Sequence, residues 1–248
     1  MDPLEAQLQG QIDQSRRFFW HRLRWKLVES RLPASGPFQL LDVGAGAGLV
    51  GEYLGRHRPS ATYRFIEPID SLRRHLEKRF GEDANAEHLR SYETMDVVTL
   101  LDVLEHQEDD YGFLEGLLQR MRPGAILVLT VPALPGLWSA WDVGLGHHRR
   151  YRKDSLRQVL SRSPVRMEEV NYLFPELVPA AFIRRLRRPA SRLGATEEFQ
   201  FPRVAGWANE LLFGIGSMTS SLRFLWPFGT SLLAVVRRTN CPDRSSGL

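Results

Sequence analysis

The chain has 248 residues, of which 43% are hydrophobic and 25% charged, and a formal net charge of +4. This is a soluble globular composition, long enough for one large α/β domain or two small ones. The single cysteine, Cys241, excludes a disulfide framework within the chain; no apolar run of about 18 residues offers a spanning helix; the opening residues lack the basic and apolar parts of a secretory leader, so a reducing cytoplasm is expected.

Residues 11–32 are predicted as a helix, because Phe19, Leu23 and Leu27 recur at a spacing of four and Pro33 ends the run. Its aromatic and basic stretch, 16–22, suits either a cover over a ligand pocket or a helix packed at a sheet edge. Strand and helix then alternate. Strands are expected at Gln39–Val43, Thr62–Ile66, weakly at His88–Tyr92, at Asp96–Leu101 and at Ala125–Val131; helices open at Leu49 and span Asp70–Phe80 and Tyr111–Met121. Continuous apolar strands between amphipathic helices indicate a mostly parallel sheet covered on both faces. Two more strands, Val165–Tyr172 and Ser231–Arg238, bracket a segment at 173–230 that holds an amphipathic stretch (Phe174–Leu186), the cluster Arg184, Arg185, Arg187 and Arg188, and an apolar stretch (Trp207–Leu225).

The chemistry is expected outside the carboxyl ends of the strands, where open parallel sheets bind ligands. After the first strand come Gly44, Ala45, Gly46 and Gly48, a turn whose backbone can approach a ligand closely. Asp42 just before it favours a cofactor with a cationic, amine-bearing end, which points to S-adenosylmethionine. Residues 46–51 also match the dinucleotide pattern G-x-G-x-x-G, but that pattern would start two residues late, and Asp42 would repel a pyrophosphate. Glu67, followed by Pro68, closes the second strand, where a carboxylate can accept hydrogen bonds from two ribose hydroxyls. The run Leu101, Asp102, Val103, Leu104, Glu105, His106 ends the strand at 96–101 and should pass beneath the cofactor, with His106 orienting or capping.

Residues 41–48 resemble the first motif of class I S-adenosylmethionine-dependent methyltransferases. Glu67-Pro68, Asp96 to His106 and Leu118 to Ala133 resemble the later motifs in order and spacing. Trp138, Ser139, Asp142 and Gly146-His147-His148-Arg149-Arg150-Tyr151 are similar to a subgroup with a G-H-x-R-R-Y signature. That subgroup also has an aromatic first helix and a closing P-x-G-x-S strand, here Phe18–Trp25 and Pro227–Leu233. The resemblance implies a single methyltransferase domain over 1–248. It is a Rossmann-like, seven-stranded α/β fold with an antiparallel last strand, an N-terminal helical cover at 11–32 and a helical insert at 173–230 walling the acceptor pocket. It implies S-adenosyl-L-methionine as cofactor, held by Asp42, Gly44, Ala45, Gly46, Gly48, Glu67, Pro68, Leu101, Asp102 and His106. An acidic residue binding adenine is usual after the third strand; Asp83 falls too early and Glu93 too close to the next strand.

Methyl transfer to oxygen or nitrogen calls for a base, and His titrates in the right range. His147 and Tyr151 are the catalytic candidates. Trp138, His148, Arg149 and Arg150 are the substrate-binding candidates, since arginines can hold a carboxylate or phosphate; alternatively one of the two arginines pairs with Asp142 or Asp154 to fix the loop. A structural turn built from His147, Arg149 and Tyr151 is the competing reading. No metal site is expected. The acceptor is expected to be small and apolar or amphipathic. Between residues 144 and 192, twelve Arg or Lys face four Asp or Glu; such a basic segment permits nucleic acid or peripheral membrane contact. Nucleic acid is disfavoured, because no RNA-binding module or base-flipping motif is evident. Monomer and homodimer both remain open. The other function class is a catalytically inactive S-adenosylmethionine-binding or interaction protein.

Overall fold

The computed structural model describes residues 18–187 and 204–240. Helix α1 (Phe19–Glu29) leads into strand β1 (Gln39–Val43), α2 (Leu49–His57), β2 (Thr62–Ile66), α3 (Asp70–Phe80), β3 (Val97–Leu101), α4 (Asp110–Arg120) and β4 (Ile126–Pro132). Short α5 (Ala140–Gly144), α6 (Lys153–Ser161), β5 (Val165–Leu173), α7 (Val178–Arg187), α8 (Gly206–Ser221) and β6 (Ser231–Arg238) follow. The strands form one sheet in the order β2-β1-β3-β4-β6-β5, parallel except for β6, which runs antiparallel to both neighbours.

Side chains alternate between two cores, as the period of two requires. Leu41, Val98, Leu100, Leu127 and Leu129 pack with Leu114, Leu118, Leu156 and Leu160 of α4 and α6. Leu40, Val97, Val128, Leu233 and Val235 pack with Phe19, Leu23 and Leu27 of α1 and Val50 and Leu54 of α2. The sheet is thus covered on both faces, and continuous apolar strands such as β3 follow from that.

Among the described residues the sheet has six strands, not the expected seven. Residues 88–92 form no strand; Tyr92 makes only an isolated bridge to Met121, and Asn85 one to Phe65. The chain crosses this edge in a 3-10 turn at Glu82–Ala84 and a loop, and Tyr92 and Met95 turn inward to the core instead. Of the helix expected at 11–32, residues 19–29 are helical, 30–32 form a turn, and 11–17 lie outside the described residues. The segment 173–230 divides into α7 and α8, with 188–203 outside the described residues.

The order of the strands places a switch between β1 and β3. The chain leaves β1 for β2 on one side and returns to β3 on the other, so the turns after β1 and β3 part and leave a crevice. Backbone conformation marks this end of the sheet. The non-glycine residues at positive φ among those described are Asp102, Leu134 and Phe174, at 57°, 58° and 56°. Each lies one or two residues beyond β3, β4 or β5. Such conformations cost about 1–3 kcal/mol each and gather where ligands bind.

The glycine of the closing P-x-G-x-S run has a packing reason. A Cβ on Gly229 would stand 2.8 Å from the carbonyl carbon of Leu173 and closer still to its oxygen, and backbone cannot yield there. Gly229→Ala should therefore lower stability by about 2 kcal/mol or more, as overpacking does. That corresponds to roughly 5 °C in Tm, and differential scanning calorimetry reads it directly.

Candidate active site

A cavity of about 770 Å³ opens at the switch point, within the range of small-molecule sites. Its floor is the turn after β1. Gly44, Gly46 and Gly48 have φ of 70°, 55° and 75°. A Cβ on Gly44 would lie 2.5 Å from Cγ2 of Val103, so the turn presses against the end of β3. Gly44 and Ala45 donate their N–H groups to the Ile66 carbonyl, 2.8 and 3.2 Å away, which ties the turn to the end of β2.

Glu67 is buried at the rim of this turn. Its carboxylate accepts from the N–H of Gly46 at 2.7 Å and of Ile69 at 2.9 Å, one bond on each oxygen. A second lone pair on each oxygen stays available, which is what a pair of ribose hydroxyls needs. Burial raises the Glu67 pKa, opposed by those two N–H groups. Asp42 is fully buried, with Thr99 Oγ1 donating at 2.7 Å and Tyr63 Oη at 3.2 Å. Burial pushes its pKa up to about 6 in spite of those donors, and the Glu67 charge adds to the rise.

The structure adds Arg24 of α1. Its guanidinium stands 3.2 Å from Asp102 Oδ2, reaches Thr130 Oγ1 at 3.4 Å and lies 4.4 Å over the Trp20 ring. One acidic and one basic group therefore face the same cavity beside the glycine turn. An amino acid's ammonium and carboxylate need that combination. Glycine cradle, carboxylate for a ribose and paired charges together fit S-adenosylmethionine. Neither Asp83 nor Glu93 lines the cavity, so the usual acidic partner for adenine has no counterpart in either.

The far wall carries a second set of charges. Asp142 in α5 is wholly buried. It accepts from His147 Nδ1 at 3.1 Å, from Arg150 Nε at 2.7 Å and from the Ser139 N–H at 3.0 Å. Burial alone would raise its pKa, but the His147 and Arg150 donors prevail and hold it below the usual range. An ionised carboxylate only accepts, so His147 Nδ1 carries the proton, and in the neutral ring Nε2 presents a lone pair. Glu105 lies 3.9 Å from that Nε2. It is fully buried, neither of its oxygens has a hydrogen-bond partner, and burial with the Asp102 charge drives its pKa well up. The His106 ring meets the His147 ring edge-on at 4.7 Å. Glu105, His106 and His147, none of them expected as metal ligands, hold ligand atoms within 4.8 Å of one another, close enough to share a cation. His21, also on the wall, is driven down to about 3 by burial and Arg24, so it stays neutral and is no base near neutral pH.

Of the expected cofactor residues, Asp42, Gly44, Ala45, Gly46, Glu67, Pro68, Leu101, Asp102 and His106 line this one cavity. Gly48 does not; it precedes α2, and Leu76 and Phe80 pack where its Cβ would stand. His147 and Arg150 also line the cavity. Four expectations are corrected. Tyr151 points the other way, is buried, and donates to Asp110 Oδ2 at 2.7 Å. Arg149 sits beside it, paired with Asp110 at 3.1 Å. His148 is exposed, and only its N–H is engaged, by the Glu105 carbonyl. Trp138 is off the wall, and Trp141, three residues on in α5, takes its place with Arg184 4.8 Å over its ring. The residues missed by the sequence reading are Arg24, Glu105 and Trp141, none of which carried a local signal. Asp142, expected as an alternative partner of Arg149 or Arg150, does pair with Arg150, and it also closes a capping box with Ser139.

This architecture is that of a class I methyltransferase. The chain belongs to the methyltransferase-domain family, whose model matches residues 7–167. It is 32% identical over 119 residues to the mitochondrial ubiquinone biosynthesis O-methyltransferase of Schizosaccharomyces pombe, covering 44% of this chain and 43% of that protein. It is 32% identical over 104 residues to the ubiquinone biosynthesis O-methyltransferase of Rickettsia canadensis, covering 37% and 42%. The matched region spans less than half the length of these relatives. The same fold occurs in a methyltransferase complexed with the Haloferax volcanii Trm112 activator, with TM-score 0.58, 15% identity and coverage of 95% and 94%. It occurs too in the plantazolicin methyltransferase BpumL bound to S-adenosylhomocysteine, with TM-score 0.55, 14% identity and coverage of 96% and 95%. The chain thus carries the domain of that family, with a cavity whose lining fits S-adenosylmethionine.

Asp42 yields a pH test. If its carboxylate meets the cofactor's ammonium, affinity for S-adenosylhomocysteine should rise as pH increases through about 6. The expected gain between pH 5 and pH 7 is about tenfold, and Asp42→Asn should remove the dependence. Isothermal titration calorimetry at each pH measures it.

Proposed function

We propose that this enzyme methylates a hydroxyl group on a small amphipathic acceptor with an aromatic or other apolar body. The observation that carries this reading is the Asp142–His147 pair on the cavity wall, with Nε2 of His147 facing inward beside Glu105. A hydroxyl needs a base and a sulfur or an amine needs it less, so an oriented imidazole favours oxygen. Trp20, Leu101, Trp141, Leu145, Leu177 and Leu212 give the cavity its apolar walls. The two relatives named as O-methyltransferases support the same acceptor atom.

S-adenosylmethionine, when bound, supplies an activated sulfonium methyl. The chain supplies position and a proton sink. Asp142 holds the His147 ring in one orientation and tautomer. His147 Nε2 would take the proton from the acceptor hydroxyl that receives the methyl group. Asp142, ionised, stabilises the imidazolium that results, and Arg150 fixes Asp142 from its other side. The glycine turn, Glu67, Asp42 and Arg24 hold the cofactor at the opposite wall.

A second reading has one specific observation behind it. Glu105 is buried without a hydrogen-bond partner on either oxygen, and with His106 and His147 it offers a donor set of nitrogen and oxygen suited to a divalent cation. An acceptor oxygen bound to such a cation would lose its proton more readily.

With a phenolic acceptor, His147→Gln and Asp142→Asn should each lower kcat by about 10²–10⁴-fold, the usual weight of a general base. Cofactor affinity should stay within about threefold, since both lie across the cavity from the glycine turn. A kcat unaffected by either substitution contradicts the base assignment. Loss of activity in a chelator, restored by one divalent metal, selects the second reading.

A further inference from the structure

Among the described residues, eleven large hydrophobic side chains are exposed, and all but Val143 fall between positions 182 and 228. They are not scattered there. In α7 the residues that line the cavity are Ala180, Ala181 and Arg184. Phe182 and Leu186, one turn apart, and Ile183 beside them take the opposite face, at 46%, 66% and 49% exposure. Arg185 and Arg187 fall on either flank of that apolar face. No residue of α7 is buried, although the helix is largely apolar. A helix that packs only on the wall of a cavity gains little from the protein core.

Helix α8 repeats the arrangement. Asn209, Gly216, Thr219 and Ser220 face inward. Asn209 caps the N–H of Phe19 at 2.8 Å, and Phe213 lies under the Arg22 guanidinium, so this side is fixed to α1. Trp207, Leu211, Met218 and Leu222 recur at helical spacing on the outer side, and Trp207 is 76% exposed. The one charged residue of α8, Glu210, pairs with Arg22 at 2.6 Å. The outer stripe thus carries no charge of its own. Phe224, Leu225 and Phe228 continue it past the helix.

We infer that the outer faces of α7, α8 and residues 222–228 dock on an anionic lipid bilayer. Contiguous exposed apolar surface of this kind marks an interaction site. An apolar face flanked by arginines is the pattern of a helix lying in the interface, with guanidinium groups reaching up to lipid phosphates. Charge selects the partner: α7 has three arginines and no acid, and Arg185 and Arg187 flank its apolar face. Position gives the surface a purpose. Leu177, Ala180, Ala181 and Arg184 on one side and Val204 and Leu212 on the other line the cavity. The same elements that wall the acceptor site therefore meet the membrane, so an amphipathic acceptor could pass from bilayer to cavity without crossing water. This extends the proposed acceptor class, but the docking itself does not require it.

The test is co-sedimentation of the full chain with vesicles of phosphatidylcholine alone and of phosphatidylcholine with phosphatidylglycerol, at low salt. The account expects pelleting with the anionic vesicles only. Trp207→Glu with Phe224→Glu, and separately Arg185→Glu with Arg187→Glu, should each reduce it about tenfold. Calorimetry with S-adenosylhomocysteine verifies that the variants are folded, and its outcome is independent of the vesicle result. No pelleting, equal pelleting with both vesicle types, or pelleting indifferent to all four substitutions overturns the inference. So does a dimer in light scattering that the Trp207→Glu, Phe224→Glu variant abolishes, since that assigns the surface to a second copy of the chain.

Discussion

The contact between the Gly44 backbone and the Val103 side chain sets the geometry of the site. The turn after β1 must lie flat against the end of β3, and a single Cβ at Gly44 would forbid it. Because the turn lies there, its N–H groups reach the end of β2 and the Glu67 carboxylate. The crevice at the switch point is then floored by backbone rather than side chains. Positive φ at three glycines and at Asp102 is the conformational cost of that arrangement. The two apolar cores on either face of the sheet hold the strands rigid enough to bear it.

Two buried aspartates show how one cavity is divided into two chemistries. Asp42 has neutral donors, Thr99 and Tyr63, and burial prevails, lifting its pKa to about 6. Asp142 is equally buried, but Arg150 and His147 donate to it and hold it ionised. The first is poised to respond to a cation that arrives with a ligand. The second carries a fixed charge that orients an imidazole. Charged donors outweigh the penalty of burial at Asp142, and neutral ones do not at Asp42.

Much of the scaffold was legible because its signals are local. Apolar runs gave the strands, glycines the turn, and Arg122-Pro123-Gly124 the break before β4. Glu67 and Asp102 were legible because they end strands. The expectation of a strand at 88–92 failed on weak patterning; Tyr92 and Met95 are apolar for the core, not for a sheet edge. Arg24 and Glu105 escaped because their meaning depends on contacts with residues 78 and 42 positions away. Tyr151 was misjudged for a related reason. The motif holding it is a structural turn as well as a site: His147 and Arg150 reach the cavity, while Arg149 and Tyr151 turn away and tie the loop to Asp110.

The most direct measurement is isothermal titration of the wild-type chain and Glu67→Ala with S-adenosylmethionine and S-adenosylhomocysteine. The account predicts micromolar binding of both, weakened at least about tenfold in Glu67→Ala by loss of charge-assisted hydrogen bonds. Absence of binding to the wild type, or binding indifferent to Glu67, would contradict the site assigned to the turn after β1.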